Sequence, residues 1–397
     1  GRTPERLARI LRDCDEGAIT DYAILAEEME ERDPHYASVL GTRKRAVSGV
    51  EAIVTPASED PTDEELAQLV RDQITENPRF PDLVEDLLDA IGKGFSVVEL
   101  HWATTASSWS IDGWDQIEAR FLTLDRETGR ELRLIDDADP LNGVALTPFQ
   151  HVIHRPRLKS GPLQRGGLAR LVAFSWMCKS YTLKDWMAFA ETYGLPLRLG
   201  RYGPGATQQD IEALFLAVSN IGTDAAAVLP DSARIEFAQA SGSQSESVFE
   251  NLARYLDEQI SKAVLGQTMT SDNGSSQSQA EVHNEVRHDL ARADARQVSA
   301  TLTEQIAVPL IELNHGVQAR YPRIEIVVEE AEDLDLILRH TATLAERGLK
   351  VKAQEVRARL GYSDPDDDDE VIGGTPTAAA QTALARLMST TAAAIPE

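Results

Sequence analysis

One stretch limits what this chain can become more than any other. Residues 266–279, GQTMTSDNGSSQSQ, are small and polar apart from Met269 and hold no Lys or Arg. Such a segment buries too little apolar surface to offset the entropy of ordering it, so a solvated loop is expected. Directly after it the pattern turns helical for about thirty residues, near the upper end for a globular helix. Val282, Val286, Leu290, Val298, Leu302, Ile306 and Leu310 lie on a four-residue lattice broken only at Asp294. Each four-residue step drifts about 40° around a straight helix, so the apolar face moves about 160° from Val282 to Val298. One straight neighbour does not cover such a stripe. Either the helix bends, with Pro309 as a late kink, or it meets several partners along its length, as in a ring of subunits.

The rest of the pattern alternates helices with short strands, an α+β chain. Helices are expected over 4–13, 20–32, 64–76, 81–91, 166–193, 208–221, 248–265, 333–347 and 352–360, from apolar spacing and stop signals. Strands are expected over 50–56, 95–102, 195–200 and 323–328, with 226–229 and 234–238 paired across Pro230 and Asp231. From 104 to 155 the text is turn-rich and β-like, which predicts a small antiparallel subdomain inserted between helices. The densest positive patch of the N-terminal third, Arg43, Lys44 and Arg45, reads as a helix C-terminus placed favourably against the helix dipole. The tail from 372 is rich in Ala, Thr and Gly and reads as loose or partner-dependent.

Charge narrows the function classes. With 39 Lys and Arg against 65 Asp and Glu, the net charge is −26, and a general grip on DNA or anionic membrane is disfavoured. Cys14 and Cys178 lie too far apart for metal-ligand spacing, so a reducing compartment is expected. No apolar run reaches the roughly eighteen residues of a membrane span, no secretory signal is read, and the opening Gly1 leads us to expect a trimmed N-terminus.

A catalytic constellation is not found. His151 and His154 fall on opposite faces of a strand, His101 adds no ligand spacing, and His283 and His288 do not share a helix face. The run PLQRGGL (162–168) lacks the Lys-Ser/Thr of a phosphate loop and reads as a helix entry. The acid run SDPDDDDE (363–370) lacks the glycine and terminal glutamate of a calcium loop. A metal-assisted hydrolase using clustered Asp and Glu is the alternative function, supported only by acidity and by that run. No cofactor or metal is expected.

Several stretches together resemble the Mu-like bacteriophage portal proteins. They are EMEERDPHYASVLGTRKRAVSG (28–49), LDAIGKGFSVVELHW (88–102), KDWMAFAETYGLPLRLG (184–200), SKAVLGQTMT (261–270), and residues 280–287 and 310–316. The likeness spans roughly 20–360, and 184–200 is its most telling part. It implies a portal-type fold with wing, helical stem, small β-rich clip, long spine helix and helical crown. Residues 1–80 would be an N-terminal wing segment, 81–101 the first stem helix and strand, and 102–160 the clip. Residues 161–194 would be the second stem helix and 195–265 wing. Then 266–279 would be the tunnel loop, 280–316 the spine, 317–370 the crown-side strand and helices, and 371–397 a flexible tail.

The resemblance also implies a function. It is a ring, usually of twelve subunits, at one capsid vertex of the virion, assembled in the host cytoplasm. Double-stranded DNA passes through it during packaging and ejection. Its partners would be terminase, a head–tail connector or adaptor, and capsid and scaffold proteins, with no membrane and no enzyme activity. Gln267, Thr268, Thr270, Ser271, Asp272, Asn273, Gly274, Ser275, Ser276 and Gln277 would face DNA. Val282, Val286, Leu290, Val298, Leu302 and Ile306 would contact neighbouring subunits, and Trp109, Trp114 and Phe121 would belong to the clip. A DNA-facing loop without Lys or Arg suits sliding, since phosphate contacts would add friction.

Overall fold

Helix starts organise the N-terminal third. The computed structural model describes residues 3–193, 198–219, 226–230, 242–268, 277–328, 334–348, 352–360 and 362–363. Helix α1 (Pro4–Asp15) begins on a Thr3 cap, whose hydroxyl accepts from the Arg6 N–H at 3.3 Å. After α2 (Thr20–Arg32), Asp33 caps α3 (Pro34–Ser48), accepting from the N–H groups of His35 and Tyr36. Proline in the first turn suits both capped helices, because no helical donor is lost there. Strand β1 (Ala52–Thr55), helix α4 (Pro61–Val70) with a π turn at Arg71–Thr75, α5 (Phe80–Leu88) and α6 (Ala90–Lys93) follow.

The β-rich stretch is part of this core, not a separate subdomain. Strands β2 (Ser96–Thr104), β3 (Trp109–Ile117), β4 (Leu122–Leu124), β5 (Leu132–Asp136), β6 (Asp139–Ala145) and β7 (His151–His154) form two antiparallel three-stranded sheets, ordered β3–β2–β7 and β4–β5–β6. Val97, Val98, Leu100 and Trp114 join the same hydrophobic core as α2, α3 and α5. Antiparallel pairing was legible in the alternation; the shared core was not.

A glycine-lined turn connects the sheets to helix α7 (Leu168–Tyr193). Gly94 has φ +98°, and a side chain there would sit 2.5 Å from the Leu163 carbonyl oxygen. A Cβ on Gly167 would overlap the Lys93 backbone, so the run 162–168 is a close-packed helix entry. Beyond α7, strand β8 (Arg198–Tyr202), helix α8 (Gln208–Ser219) and strand β9 (Ala226–Pro230) form a parallel β–α–β unit. The expected partner of 226–229 was 234–238, which lies outside the described residues. Parallel pairing needs a crossover of a dozen or more residues, and α8 supplies it.

Helix α9 (Gly242–Leu265) returns alongside α7. Phe189 meets Phe249 at 5.7 Å between ring centroids, while Lys179, ten residues earlier on α7, meets Asp257, eight residues later on α9. The two helices are therefore antiparallel, and β8–α8–β9 lies between them in sequence. By contrast α5 is nine residues long and its apolar residues are buried in the core, so it is not the long partner of α7.

The predicted spine is present as α10 (Gln277–Leu302), a π turn at Thr303–Ala307 and α11 (Val308–His315). The π turn lies immediately before Pro309. Proline removes a donor and crowds the carbonyl four residues back, and a locally wider turn relieves both. Strand β10 (Arg323–Ile326) pairs antiparallel with β1. It therefore belongs, with β1, to the first of two compact units, Gly1–Val328. The described part of the second unit, Glu329–Glu397, contains α12 (Leu334–Glu346) and α13 (Ala353–Arg359).

Candidate functional site

The site is the base of the polar loop. Helix α9 ends at Leu265, and Gly266 leaves it with φ +70°, its N–H donating to the Lys262 carbonyl at 3.1 Å. This is the left-handed exit that glycine adopts without a Cβ penalty. A Cβ on Gly266 would meet the Val286 side chain at 3.4 Å, so the outgoing chain already touches the helix it returns to. Of the predicted DNA-facing residues, Gln267 and Thr268 follow α9, and Gln277 is the first residue of α10. Thr270, Ser271, Asp272, Asn273, Gly274, Ser275 and Ser276 lie outside the described residues.

Both legs of the loop are held from one side by α3. Arg43 Nε and Nη2 donate to the two Asp294 carboxylate oxygens at 2.7 and 3.0 Å, and Arg43 Nη1 donates to the Val264 carbonyl at 2.9 Å. The Arg43 and Asp294 side chains are 7% and 1% exposed, so this bidentate pair works in a low-dielectric interior. One guanidinium thus ties the last turn of α9 to the middle of α10. One turn before Val264, the His35 ring nitrogen lies 2.7 Å from the Ser261 hydroxyl. Lys179 bridges Asp33 at 2.9 Å and Asp257 at 2.6 Å, fastening α7 to the cap of α3 and to α9.

A second buried charge cluster backs the first. Lys44 pairs with Glu30 at 2.9 Å and with Asp89 at 3.1 Å, and Lys93 also contacts Asp89. Burial raises the Asp89 pKa, but the Lys93 and Lys44 ammonium groups outweigh it and hold the carboxyl below its ordinary value. The basic cluster of α3 is therefore mostly internal wiring: only Arg45 stays exposed in the last turn, where the dipole reading applies. Asp294 carried the overlooked signal. A lone carboxylate on an otherwise apolar lattice demands a buried cation, and Arg43 is that cation.

The lattice itself is reassigned. Val298, Leu302 and Ile306 are 0% exposed within this one chain, so their partners are intramolecular and they do not reach a neighbouring subunit. Val298 and Leu302 precede the π turn at Thr303–Ala307, so the chain's own neighbours already cover the stripe there. Val286 and Leu290 are half-buried, and the Val282 side chain is outside the described part. Large unpartnered apolar side chains lie elsewhere. Leu171, Phe174 and Met187 on α7 are 66%, 64% and 67% exposed, and Val248 and Tyr255 on α9 are 62% and 55% exposed.

Of the three aromatic residues expected together, Trp114 is a core residue at 1% exposure, with the Arg79 guanidinium 5.4 Å from its ring centroid. Trp109 is exposed, stacks edge-on against Trp102, and is clamped by Asn314 of α11 through both its backbone N–H and C=O. Phe121 is exposed beneath Arg120.

Comparison with known proteins follows this geometry. The family described as the portal protein of Mu bacteriophage matches residues 23–362. The chain belongs to the Mu bacteriophage portal protein family. It is 30% identical to the portal protein of Escherichia phage Mu over 378 residues, covering 94% of this chain and 73% of that protein. It is 33% identical over 388 residues to the Mu-like prophage FluMu protein gp29 of Haemophilus influenzae, with the same coverage of 94% and 73%. The fold resembles a chain from the neck of an empty gene transfer agent particle, with TM-score 0.55 at 11% identity, over 86% of this chain and 94% of that one. A chain from the native virion of that agent matches over the same shares with TM-score 0.51 and 11% identity. Membership in the portal family makes the function structural and does not favour the hydrolase alternative.

Proposed function

We propose that this chain assembles into a closed ring at one capsid vertex and that double-stranded DNA passes through the ring during packaging and ejection. The observation that carries the ring is the row of apolar side chains on α7 and α9. Burying one such side chain is worth roughly 1.5–3 kcal/mol, and a stripe running along two packed helices is a contact surface waiting for a second copy of itself. Twelve subunits, terminase docking and a later head–tail connector follow from family resemblance and belong to this proposal, as does host-cytoplasm assembly before incorporation into the virion neck.

The antiparallel pair suggests where the family's parts lie. A portal layout has two stem helices flanking a clip. We assign the stem to α7 and α9 and the clip to β8–α8–β9, in place of 81–101 and 161–194 around 102–160. The β-rich stretch then joins the N-terminal helices as wing. The polar loop after α9 remains the DNA-facing element, with Arg43 setting the spacing of its two legs.

Native mass spectrometry combined with an axial view of negatively stained particles tests the ring. Closed rings of one subunit number are expected; a strictly monomeric protein at micromolar concentration would overturn the reading.

A further inference from the structure

A cavity of about 840 Å³ opens between the β4–β5 turn and the connection from β7 to α7. Arg130, Arg155, Arg157 and Lys159 line it, and Asp15 is its one acid. Asp15 is already engaged by Arg165 and Arg170 at 2.8 and 3.0 Å. Among the described residues none of the four cations forms an ion pair, in a chain that carries 26 excess negative charges. Acids are abundant, yet these four cations are left open.

The local geometry favours a strongly charged oxyanion. Arg155, Arg157 and Lys159 are exposed and alternate with buried Pro156 and half-buried Leu158. The chain leaves β7 at His154 and bends over 158–160, which gathers the three cations at the mouth of the cavity. The N–H groups of Lys159, Ser160 and Gly161 have no acceptor among the described residues. Gln164 is 4% exposed, lines the cavity, and its side-chain oxygen lacks a donor. Desolvation lowers the Arg155 pKa, and the Glu131 carboxylate opposes that shift.

We propose that this cavity is a phosphate site that takes the sugar-phosphate backbone of double-stranded DNA. Guanidinium forks fit phosphate bidentately, four cations lining one cavity suit a polyanion's backbone, and free backbone N–H groups supply further donors. The conduit reading supplies only the source of the phosphate. On an acidic chain, a local cluster of cations provides a grip that the polar loop, lacking Lys and Arg, does not.

The test uses the assembled full chain and a fluorescein-labelled random-sequence duplex, with anisotropy followed as a function of salt. Each phosphate contact contributes about 0.9 to the slope of log affinity against log salt. Neutralising three in the triple variant R155Q/R157Q/K159Q therefore shrinks the affinity gain between about 200 and 50 mM salt by about 40-fold per engaged site. The variant R155K/R157K keeps the charges and is expected to keep the slope. All three positions are exposed, so circular dichroism should be unchanged. Equal slopes for wild type and the glutamine variant would overturn the site. So would inorganic phosphate stabilising the wild type but not the variant while DNA slopes stay equal, since that marks a free-ion site. Displacement by poly-glutamate with no DNA binding would assign the pocket to an acidic protein segment and equally overturn it. Ring formation in the same samples is read separately, so loss of this site leaves the conduit reading standing, and a monomeric protein is recognised as failure of that reading instead.

Discussion

At the scale of single residues, Arg43 is the group whose loss should be felt most. Replacing it with methionine leaves the Asp294 carboxylate buried at 2% exposure without a cation, a change expected to cost about 3–5 kcal/mol. Thermal unfolding of Arg43→Met reads this, and adding Asp294→Leu should recover much of the loss, because the penalty lies in the orphaned charge. His154 makes a second residue-scale prediction. It is 1% exposed, with Nδ1 2.8 Å from the Thr301 hydroxyl, and burial lowers its pKa to about 4. Its folded pKa lies below the unfolded value of about 6.5, so the unfolded state binds more protons between the two. The contribution of neutral His154 is thus complete above about pH 6.5 and lost as pH falls toward 4, on the order of 3 kcal/mol. Asp86 works in the opposite sense: burial, then the neighbouring acids Asp89 and Asp82, raise its pKa to about 6, so acid relieves it. Comparing the pH dependence of the melting midpoint in wild type and His154→Gln isolates the histidine, whose removal should flatten the acid limb.

At the scale of elements, the α7–α9 pair explains features that neither helix explains alone. Their facing residues include the Phe189–Phe249 contact and the Lys179–Asp257 bridge. Their outward residues include Phe174 and Met187, each more than 60% exposed. Changing both to glutamate should alter monomer stability by little, since surface changes away from partners usually stay within about 0.5 kcal/mol. Ring assembly should nevertheless fail, because each interface would bury two carboxylates without cations. Sedimentation velocity with a circular dichroism control checks this; intact rings would show that the stripe faces solvent and that the subunit contact lies elsewhere. The spine element shows why periodicity misled. Its lattice was correctly read as apolar and long, but Val298, Leu302 and Ile306 close the chain's own core. A four-residue apolar lattice shows that a face is covered, not whether the cover comes from the same chain or from another copy.

At the scale of the whole molecule, the excess of 26 negative charges per chain multiplies around any ring and repels DNA from walls that carry no compensating cation. In the proposed conduit the polar stretch would act through shape and low friction. Replacing 270–277 with a short Gly-Ser linker should leave ring assembly intact, because the anchors Arg43, Val264 and Asp294 lie outside the replaced segment. Packaging of DNA, or its retention after packaging, should fall. Genome content per particle measures the effect, and normal packaging would remove the loop from the function.

The sequence by itself determined the α+β class, nearly every described helix, the antiparallel character of the β-rich stretch, and the family. Those properties follow from local periodicity, capping and turn chemistry, and from motif residues that keep their spacing whatever they touch. Only the tertiary structure decided that Asp294 answers Arg43 across the fold, that β9 pairs with β8, and that α9 rather than α5 accompanies α7. Each of these depends on which surfaces meet after the chain has folded, and contact between residues 251 positions apart, as in the Arg43–Asp294 pair, leaves no local trace. The polar stretch ahead of a long helix was legible in the sequence; the buried guanidinium that joins the end of α9 to the middle of α10 was not.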